Sequence, residues 1–182
     1  MNRRLFTTTL SLAAALALLL SACTTPTPTV TTPPTPKPTS SPTPPGEPAD
    51  GTVYFLVSET GESVHQDSFV LPLTKPEDIA AARAIIADRA KGLDTSKIVL
   101  ARIAKGLGDG KHVNRDFFAG SRTWSWHIAE FLGFPDMTVE IYDGWPGYVE
   151  ENLDEWIRIT EGRIGFWSYT VTRELTAAEV AP

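Results

Sequence analysis

The feature that most constrains the fold of this chain is a segment, residues 24–48, that is built almost entirely from two residue types. Nineteen of its 25 residues are Thr or Pro. Proline fixes φ and removes a backbone donor, and no apolar face can form at a helical or strand period, so we expect an extended, disordered linker. At about 3.1 Å per residue it would reach up to roughly 80 Å. We therefore place the linker, with Cys23, at residues 23–49 and one globular domain at residues 50–182.

Residues 1–22 have the pattern of an export signal. Arg3 and Arg4 form a positive start, and the apolar run from Leu10 to Leu20 is too short for a membrane-spanning helix, which needs about twenty residues. The run ends in LSAC, Leu20 to Cys23, which resembles the bacterial lipobox. The resemblance implies cleavage before Cys23 and attachment of lipids, palmitate among them, to this residue. Because two or more acyl chains hold a protein stably, we expect a membrane-anchored lipoprotein of the cell envelope, facing the periplasm or the exterior.

Charge and cysteine content exclude several classes of function. Cys23 is the only cysteine, so the domain is predicted to have neither a disulfide nor a Cys-based metal site or nucleophile. Residues 50–182 contain 13 Lys and Arg against 21 Asp and Glu, a net charge of −8. This balance argues against nucleic acid as a partner and against direct adhesion to anionic lipid. We predict no cofactor, and a partner of unknown identity in the envelope or outside the cell.

The hydrophobic pattern of the domain predicts an α+β fold. β-branched and aromatic runs predict strands, and 3.6-residue periodicity predicts helices. The predicted strands are 52–58, 97–106, 124–130, 137–143 and 164–175, and the predicted helices are 74–92 and 147–157. This order indicates a mostly antiparallel sheet of about five strands with two helices, and a compact β-sandwich with helical insertions is the alternative.

The first predicted helix carries start and stop signals. Thr74 and Glu77 have the spacing of a capping box, and Gly92 is a natural C-terminal stop. Ile79, Ile86 and Leu93 recur every seven residues and are expected to form the buried stripe, together with two alanines.

A hairpin between strands 124–130 and 137–143 would generate a candidate site. The simplest register places His127 opposite Glu140, on the face opposite to Trp124 and Trp126. A cross-strand ion pair on the surface is the plainer interpretation. The sharper one is a metal or acid–base site in which Asp143 or His112 joins the pair, although no HExxH-type spacing supports a metal.

Two further features have plainer and sharper interpretations. Asp109, Asn114 and Asp116 suggest a calcium loop, but they lack the EF-hand pattern, and a polar connecting loop with a turn at Asp109-Gly110 is favoured. Of the five tryptophans, Trp126 and Trp156 lie on predicted core faces. Trp145, in DGWPG, is the one predicted to face solvent, where it could serve as a platform for a sugar.

The run from Val113 to Asp154, and GFWSYTVTREL after it, resembles the N-terminal domain of a slime-mould calmodulin-binding protein, a domain also found in bacterial secreted proteins. The matching places are Asn114, Trp124 to His127, Glu140 to Asp143, and Val149-Glu150. Tyr142 stands where a Cys is usual, and GFWS replaces a Trp-Cys-Pro-type segment, so a disulfide between those places in relatives would be absent here. The resemblance implies a folded domain and does not indicate an enzyme activity. Calmodulin binding is not carried over, because the chain has no basic amphipathic helix.

Together these observations predict a lipid-anchored envelope protein whose domain is a non-enzymatic binding module. Two rival hypotheses remain. One is a metal-binding protein or metal-dependent hydrolase that uses His127, Glu140 and Asp143. The other is a carbohydrate-binding module that uses Trp145.

Overall fold

The structure is a computed structural model that describes residues 51–61, 64–93, 97–118 and 120–182. The predicted signal, Cys23 and the linker lie outside the described residues. Six strands are present in the described part of the chain: β1 Val53–Glu59, β2 Ser68–Leu73, β3 Leu100–Lys105, β4 Trp126–Gly133, β5 Arg163–Ile164 and β6 Tyr169–Leu175. The helices there are α1 Pro76–Ala90, α2 Pro146–Glu151, α3 Leu153–Thr160 and α4 Ala177–Val180, with a 3-10 helix at Glu140–Tyr142.

The strands form two antiparallel three-stranded sheets, in the orders β2-β1-β6 and β4-β3-β5. The predicted α+β class is confirmed, although the strands divide between two sheets. The predicted strand 164–175 is split, because β5 pairs with β3 whereas β6 pairs with β1. Residues 165–168 therefore carry the chain from one sheet to the other.

Apolar side chains from both sheets share one core. Phe55 and Phe69 of the first sheet and Ile103 and Trp126 of the second belong to the same buried cluster. The alternation predicted for residues 124–130 is confirmed, since Trp124, Trp126 and Ile128 are buried. A smaller cluster, which includes Tyr54 and Val180, lies beneath α4.

Helix α1 ends as predicted but begins differently. Gly92 has φ +75°, and its N–H donates to the carbonyl of Arg89 just past the last turn. The predicted capping box at Thr74 is wrong, because Lys75 is the N-cap and no side chain caps the helix. A capping box is found instead at α4, between Thr176 and Glu179.

The predicted buried stripe of α1 is confirmed in part. Ile79, Ala82 and Ile85 are buried, whereas Leu93 lies beyond the helix and is exposed. The second predicted helix is interrupted at Asn152, where φ −122° and ψ 26° leave the helical region, and it forms α2 and α3. Trp156 is buried as predicted, and Val149 is buried as well.

The predicted strand 137–143 is wrong. Residues 137–139 belong to no strand, and Glu140–Tyr142 form the 3-10 helix. Strand β4 pairs with β3 instead, which places His127 opposite Ala104 and Glu130 opposite Arg102. The hairpin register that paired His127 with Glu140 is therefore also wrong.

Candidate functional site

A cleft of about 420 Å³ brings three carboxylates together with several aromatic rings. Its described lining comes from the end of β1, the loop before β2, the 3-10 helix, and the segment between β5 and β6. We call it the acidic cleft, and it is lined by Glu59, His65, Glu140, Asp143, Gly144, Trp145, Ser168 and Tyr169.

Three carboxylates line this cleft, and they differ in the hydrogen bonds that they accept. Glu59 Oε2 accepts the N–H groups of Val64 and His65 at 3.0 and 3.1 Å. Asp143 Oδ1 accepts from the N–H of Gly144 at 2.9 Å and of Trp167 at 2.8 Å. The Glu140 side chain, on the exposed 3-10 helix, has no hydrogen-bond or ion-pair partner among the described residues. Glu140 is therefore the carboxylate most available to a ligand.

Aromatic rings form the rest of the cleft wall. Trp145 is half-buried, and the His65 ring stacks on it with centroids 4.0 Å apart and planes inclined by 7°. Tyr148 packs near the same indole at 5.2 Å. The prediction of a solvent-facing Trp145 is corrected: neighbouring rings cover it, and Trp167, with 49% exposure, is the exposed tryptophan. A sugar platform at Trp145 is therefore obstructed by His65.

Behind the cleft, Asp67 and Tyr169 form a buried pair. Asp67 Oδ1 accepts a short hydrogen bond from the Tyr169 hydroxyl, and Oδ2 accepts from the N–H of Gly147 at 2.9 Å. Burial raises the pKa of Asp67, although both hydrogen bonds oppose this effect. Burial and the hydrogen bond to Asp67 also raise the pKa of Tyr169. The pair ties the loop before β2 to α2 and β6, which fixes the walls of the cleft.

His127 lies in a different place, a second cleft of about 640 Å³ that we call the histidine cleft. Its lining includes Tyr54, Lys75, His112, His127 and Glu130. The Nδ1 atom of His127 lies 2.9 Å from the Gly106 carbonyl, so Nδ1 is the protonated donor in that bond. Gly108, at φ +76°, approaches the ring so closely that an added Cβ would lie 3.2 Å from Cδ2.

His112 is the buried histidine of this second cleft. It is 6% exposed, and its Nε2 atom has no hydrogen-bond partner among the described residues. Its Nδ1 atom lies 3.9 Å from Asp109 Oδ1, too far for a hydrogen bond. Burial lowers the pKa of His112, Asp109 opposes that effect, and His127 adds to it.

The structure therefore separates the predicted triad. Glu140 and Asp143 line the acidic cleft with Trp145, whereas His127 lines the histidine cleft. No group of three or more His, Cys, Asp or Glu residues in the described ranges is arranged to hold a metal ion. A metal centre built from His127, Glu140 and Asp143 is not supported by this geometry.

The candidate calcium loop has a structural use. Asn114 and Asp116 are 1% exposed, whereas Asp109 is outside the core. Asn114 accepts from the N–H of Val70 and donates to the carbonyl of Trp126, both at 2.9 Å. Asp116 accepts from the Ser68 hydroxyl at 2.9 Å. These buried side chains join β2 to the segment before β4.

Several residues of the acidic cleft were missed from the sequence. Glu59 ends β1, and Asp67 precedes β2, a strand that was not predicted. His65 and Tyr169 lie more than 100 residues apart in the chain, so no local spacing connects them. The one available signal was the short apolar run in SFVLPL, Ser68–Leu73, which is typical of a buried strand and would have drawn attention to Asp67 just before it.

The described part of the protein is a small α+β domain with these two clefts. Side-chain hydrogen bonds connect its strands to neighbouring segments. A family model described as the BP-74 N-terminal domain matches residues 51–178, which is more than half of the chain. The chain belongs to this family, and the predicted domain resemblance is confirmed. Searches of curated proteins and of solved structures found no match.

The structure explains several of the matching positions as parts of the framework. Asn114 bridges β2 and β4, and Trp124 and Trp126 occupy the core. Glu150 Oε2 accepts from both the N–H and the hydroxyl of Ser125, which joins α2 to the start of β4. Within the described ranges, no helix is both long and apolar enough to cross a membrane.

Proposed function

We propose that the protein is a membrane-anchored bacterial envelope lipoprotein whose globular domain is a non-enzymatic binding module with the acidic cleft as its binding site. The LSAC sequence and the Thr/Pro-rich segment after it support the anchor, because they provide an acylation site and a spacer ahead of the domain.

The observation that carries the binding role is the convergence of Glu59, Glu140 and Asp143 with the rings of His65 and Trp145 around one cleft. Concave sites that combine aromatic surface with a few placed polar groups are the usual form of ligand sites. The Asp67–Tyr169 pair supports the walls from behind, so the cleft is largely formed before any ligand arrives.

The anchor is tested by replacing the acylated sulfur. We expect the full chain, expressed in a bacterium that processes lipoproteins, to incorporate labelled palmitate and to sediment with membranes. Cys23→Ser should lose the label and release the protein into the soluble fraction, whereas Thr24→Ser should behave as wild type. Release of the wild-type chain from membranes, or unchanged labelling of Cys23→Ser, would contradict the anchor.

The binding site is tested separately on the purified full chain. Peptides, glycans and small organic cations are presented as immobilised probes, and binding is measured for wild type, Glu140→Gln and Glu151→Gln. Glu151 is an exposed glutamate of α2 outside the acidic cleft, so it is the matched control. We expect Glu140→Gln to weaken binding and Glu151→Gln to leave it unchanged. Chemical turnover of a bound probe would refute the non-enzymatic role.

A further inference from the structure

Four large apolar side chains project into solvent beside the acidic cleft. Met137 is 77% exposed, Val139 56%, Ile141 51% and Trp167 49%. Single exposed apolar residues are ordinary on protein surfaces, but a contiguous group of them marks an interaction site. We call this group the apolar ridge.

One threonine joins the two segments that carry these side chains. Trp167 Nε1 donates to Thr138 Oγ1 at 3.0 Å, and Thr138 lies between Met137 and Val139. The same hydroxyl donates to the carbonyl of Gly165 at 2.6 Å. The indole is thereby placed against the segment that carries the other apolar side chains.

The backbone that carries the ridge is hydrogen-bonded to neighbouring backbone groups. The N–H of Tyr142 donates to the carbonyl of Val139 at 3.0 Å, and the N–H of Gly165 donates to the carbonyl of Tyr142 at 2.8 Å. The exposed side chains therefore stand on a hydrogen-bonded framework. A surface that is ordered before binding loses less conformational entropy on association.

The ridge and the acidic cleft form one surface. Glu140, a cleft residue, lies between Val139 and Ile141 of the ridge. Asp143, also in the cleft, accepts from the N–H of Trp167 at 2.8 Å. A ligand large enough to reach beyond the cleft would meet the ridge next.

The charged side chains that line the acidic cleft are mainly negative. The described lining of the acidic cleft holds three carboxylates and no Lys or Arg. Two cations near the ridge are paired with other carboxylates: Lys97 with Asp136 at 2.6 Å, and Arg163 with Glu161. The complementary partner is therefore positively charged where it enters the cleft and apolar where it covers the ridge.

We propose that this face binds a polypeptide segment that places a Lys or Arg side chain in the acidic cleft and large apolar side chains against the ridge. The inference rests on the proposed function and names its ligand class. Apolar burial supplies most of the affinity, and Trp167 contributes an indole, a side chain strongly enriched at the energetic centres of interfaces. The carboxylates select the basic side chain and accelerate association.

The test uses the purified full chain and an array of short synthetic peptides of equal length. One set contains a central Lys or Arg flanked by Leu, Val or Phe. A second set replaces the basic residue by Gln, and a third keeps it but replaces the apolar residues by Ser. We expect binding of the first set only, and weaker binding as salt is raised.

Two substitutions and two matched controls locate the site. Trp167→Ala and Glu140→Gln should each weaken binding at least about tenfold, as removal of central contacts does at other interfaces. The control Leu107→Ala removes another apolar side chain of similar exposure, 55%. The control Glu151→Gln removes another exposed carboxylate. Neither control should change the affinity. Trp167 is at the surface, so its variant is expected to fold, which far-ultraviolet circular dichroism checks.

The outcomes separate this inference from the proposed function. Equal binding of the Gln set or the Ser set, or no effect of Trp167→Ala, would overturn the polypeptide inference. If instead a glycan or a small cation binds and Glu140→Gln weakens that binding, the cleft is a ligand site but the ligand class is wrong. If no probe binds in a manner sensitive to Glu140→Gln, the proposed binding site itself fails.

Discussion

Asp67 is the residue on which the geometry of the acidic cleft depends most directly. It is 7% exposed, and both of its oxygens are occupied, one by the Tyr169 hydroxyl and one by the N–H of Gly147. A buried carboxylate is costly unless it is hydrogen-bonded, and these two donors offset that cost. Gly147 packs closely against this carboxylate, because an added Cβ would lie 3.2 Å from Asp67 Oδ2 and would press on it.

We predict that Tyr169→Phe lowers the free energy of unfolding by about 1–3 kcal/mol, because Asp67 then loses a donor that water cannot easily replace. Urea denaturation measures the change. Tyr148→Phe is the control, since Tyr148 is an exposed tyrosine whose hydroxyl is not buried against a carboxylate. An unchanged unfolding midpoint for Tyr169→Phe would show that the pair contributes nothing to stability.

The burial of His112 leads us to expect that the stability of the protein depends on pH. Its pKa in the folded protein lies below the ordinary value of 6.5 because the ring is buried. Between those two values the unfolded chain binds more protons, so the free energy of unfolding falls as the pH is lowered, by at most about 1.4 kcal/mol per pH unit. The pKa values of Glu174 and Glu179 are lowered from 4.5, so their contribution is lost only at more acidic pH.

We therefore expect the thermal midpoint of the wild-type chain to decline between about pH 7 and pH 5, and we expect His112→Gln to flatten that decline. Leu107→Ala alters an exposed residue without an ionisable group and should leave the slope unchanged. A wild-type midpoint that does not move across this interval would contradict the assignment of His112 as a buried neutral residue.

At the scale of elements, the segment between β4 and α2 determines which side chains reach the acidic cleft. Residues 137–139 run against residues 165–167 and turn into the 3-10 helix, which projects Glu140 and Ile141 outward. The contact is tight at Gly165, where an added Cβ would lie 2.7 Å from Thr138 Cγ2. A side chain at Gly165 would thus displace the segment that carries the ridge.

Gly165→Ala should lower the free energy of unfolding by about 1–3 kcal/mol, because the new methyl group overpacks the contact with Thr138. The double variant with Thr138→Ala removes the two nearest atoms and should recover part of the loss. If the double variant is as unstable as the sum of the single ones, the clash with Thr138 is not the cause.

At the scale of the whole molecule, the two sheets depend on one another because they share a core. Trp126, on the second sheet, is fully buried, and its ring lies 5.7 Å from that of Phe69 on the first. Neither three-stranded sheet has a separate core of comparable size in the described part of the chain. The domain is therefore expected to unfold in one cooperative transition.

Trp126→Ala should cost about 3–5 kcal/mol, the usual range for removing a buried large aromatic side chain. The surface variant Trp167→Ala should cost far less, since half of its side chain is already exposed. Differential scanning calorimetry on both variants makes the comparison. Two separate transitions in the wild-type chain would contradict a shared core.

The predictions that succeeded depend on local pattern. The alternation of Trp124, Trp126 and Ile128 identifies a buried face regardless of which strand lies alongside, and Gly92 ends α1 because only the local backbone conformation matters there. The predictions that failed depend on the pairing partner. The segment 137–143 has strand-like alternation, yet β4 pairs with β3, a strand that ends about 20 residues earlier in the chain.

The sequence alone determined that a Thr/Pro-rich segment precedes a thiol-free domain, that the domain mixes helices with antiparallel strands, and that Trp126 and Trp156 pack inside it. Only the tertiary structure decided that Glu140 and Asp143 meet Glu59 and His65 while His127 goes to another cleft. The physical reason is that composition and periodicity act over a few residues. A binding surface is assembled by contacts between distant segments, and core packing rather than any local preference brings those segments together.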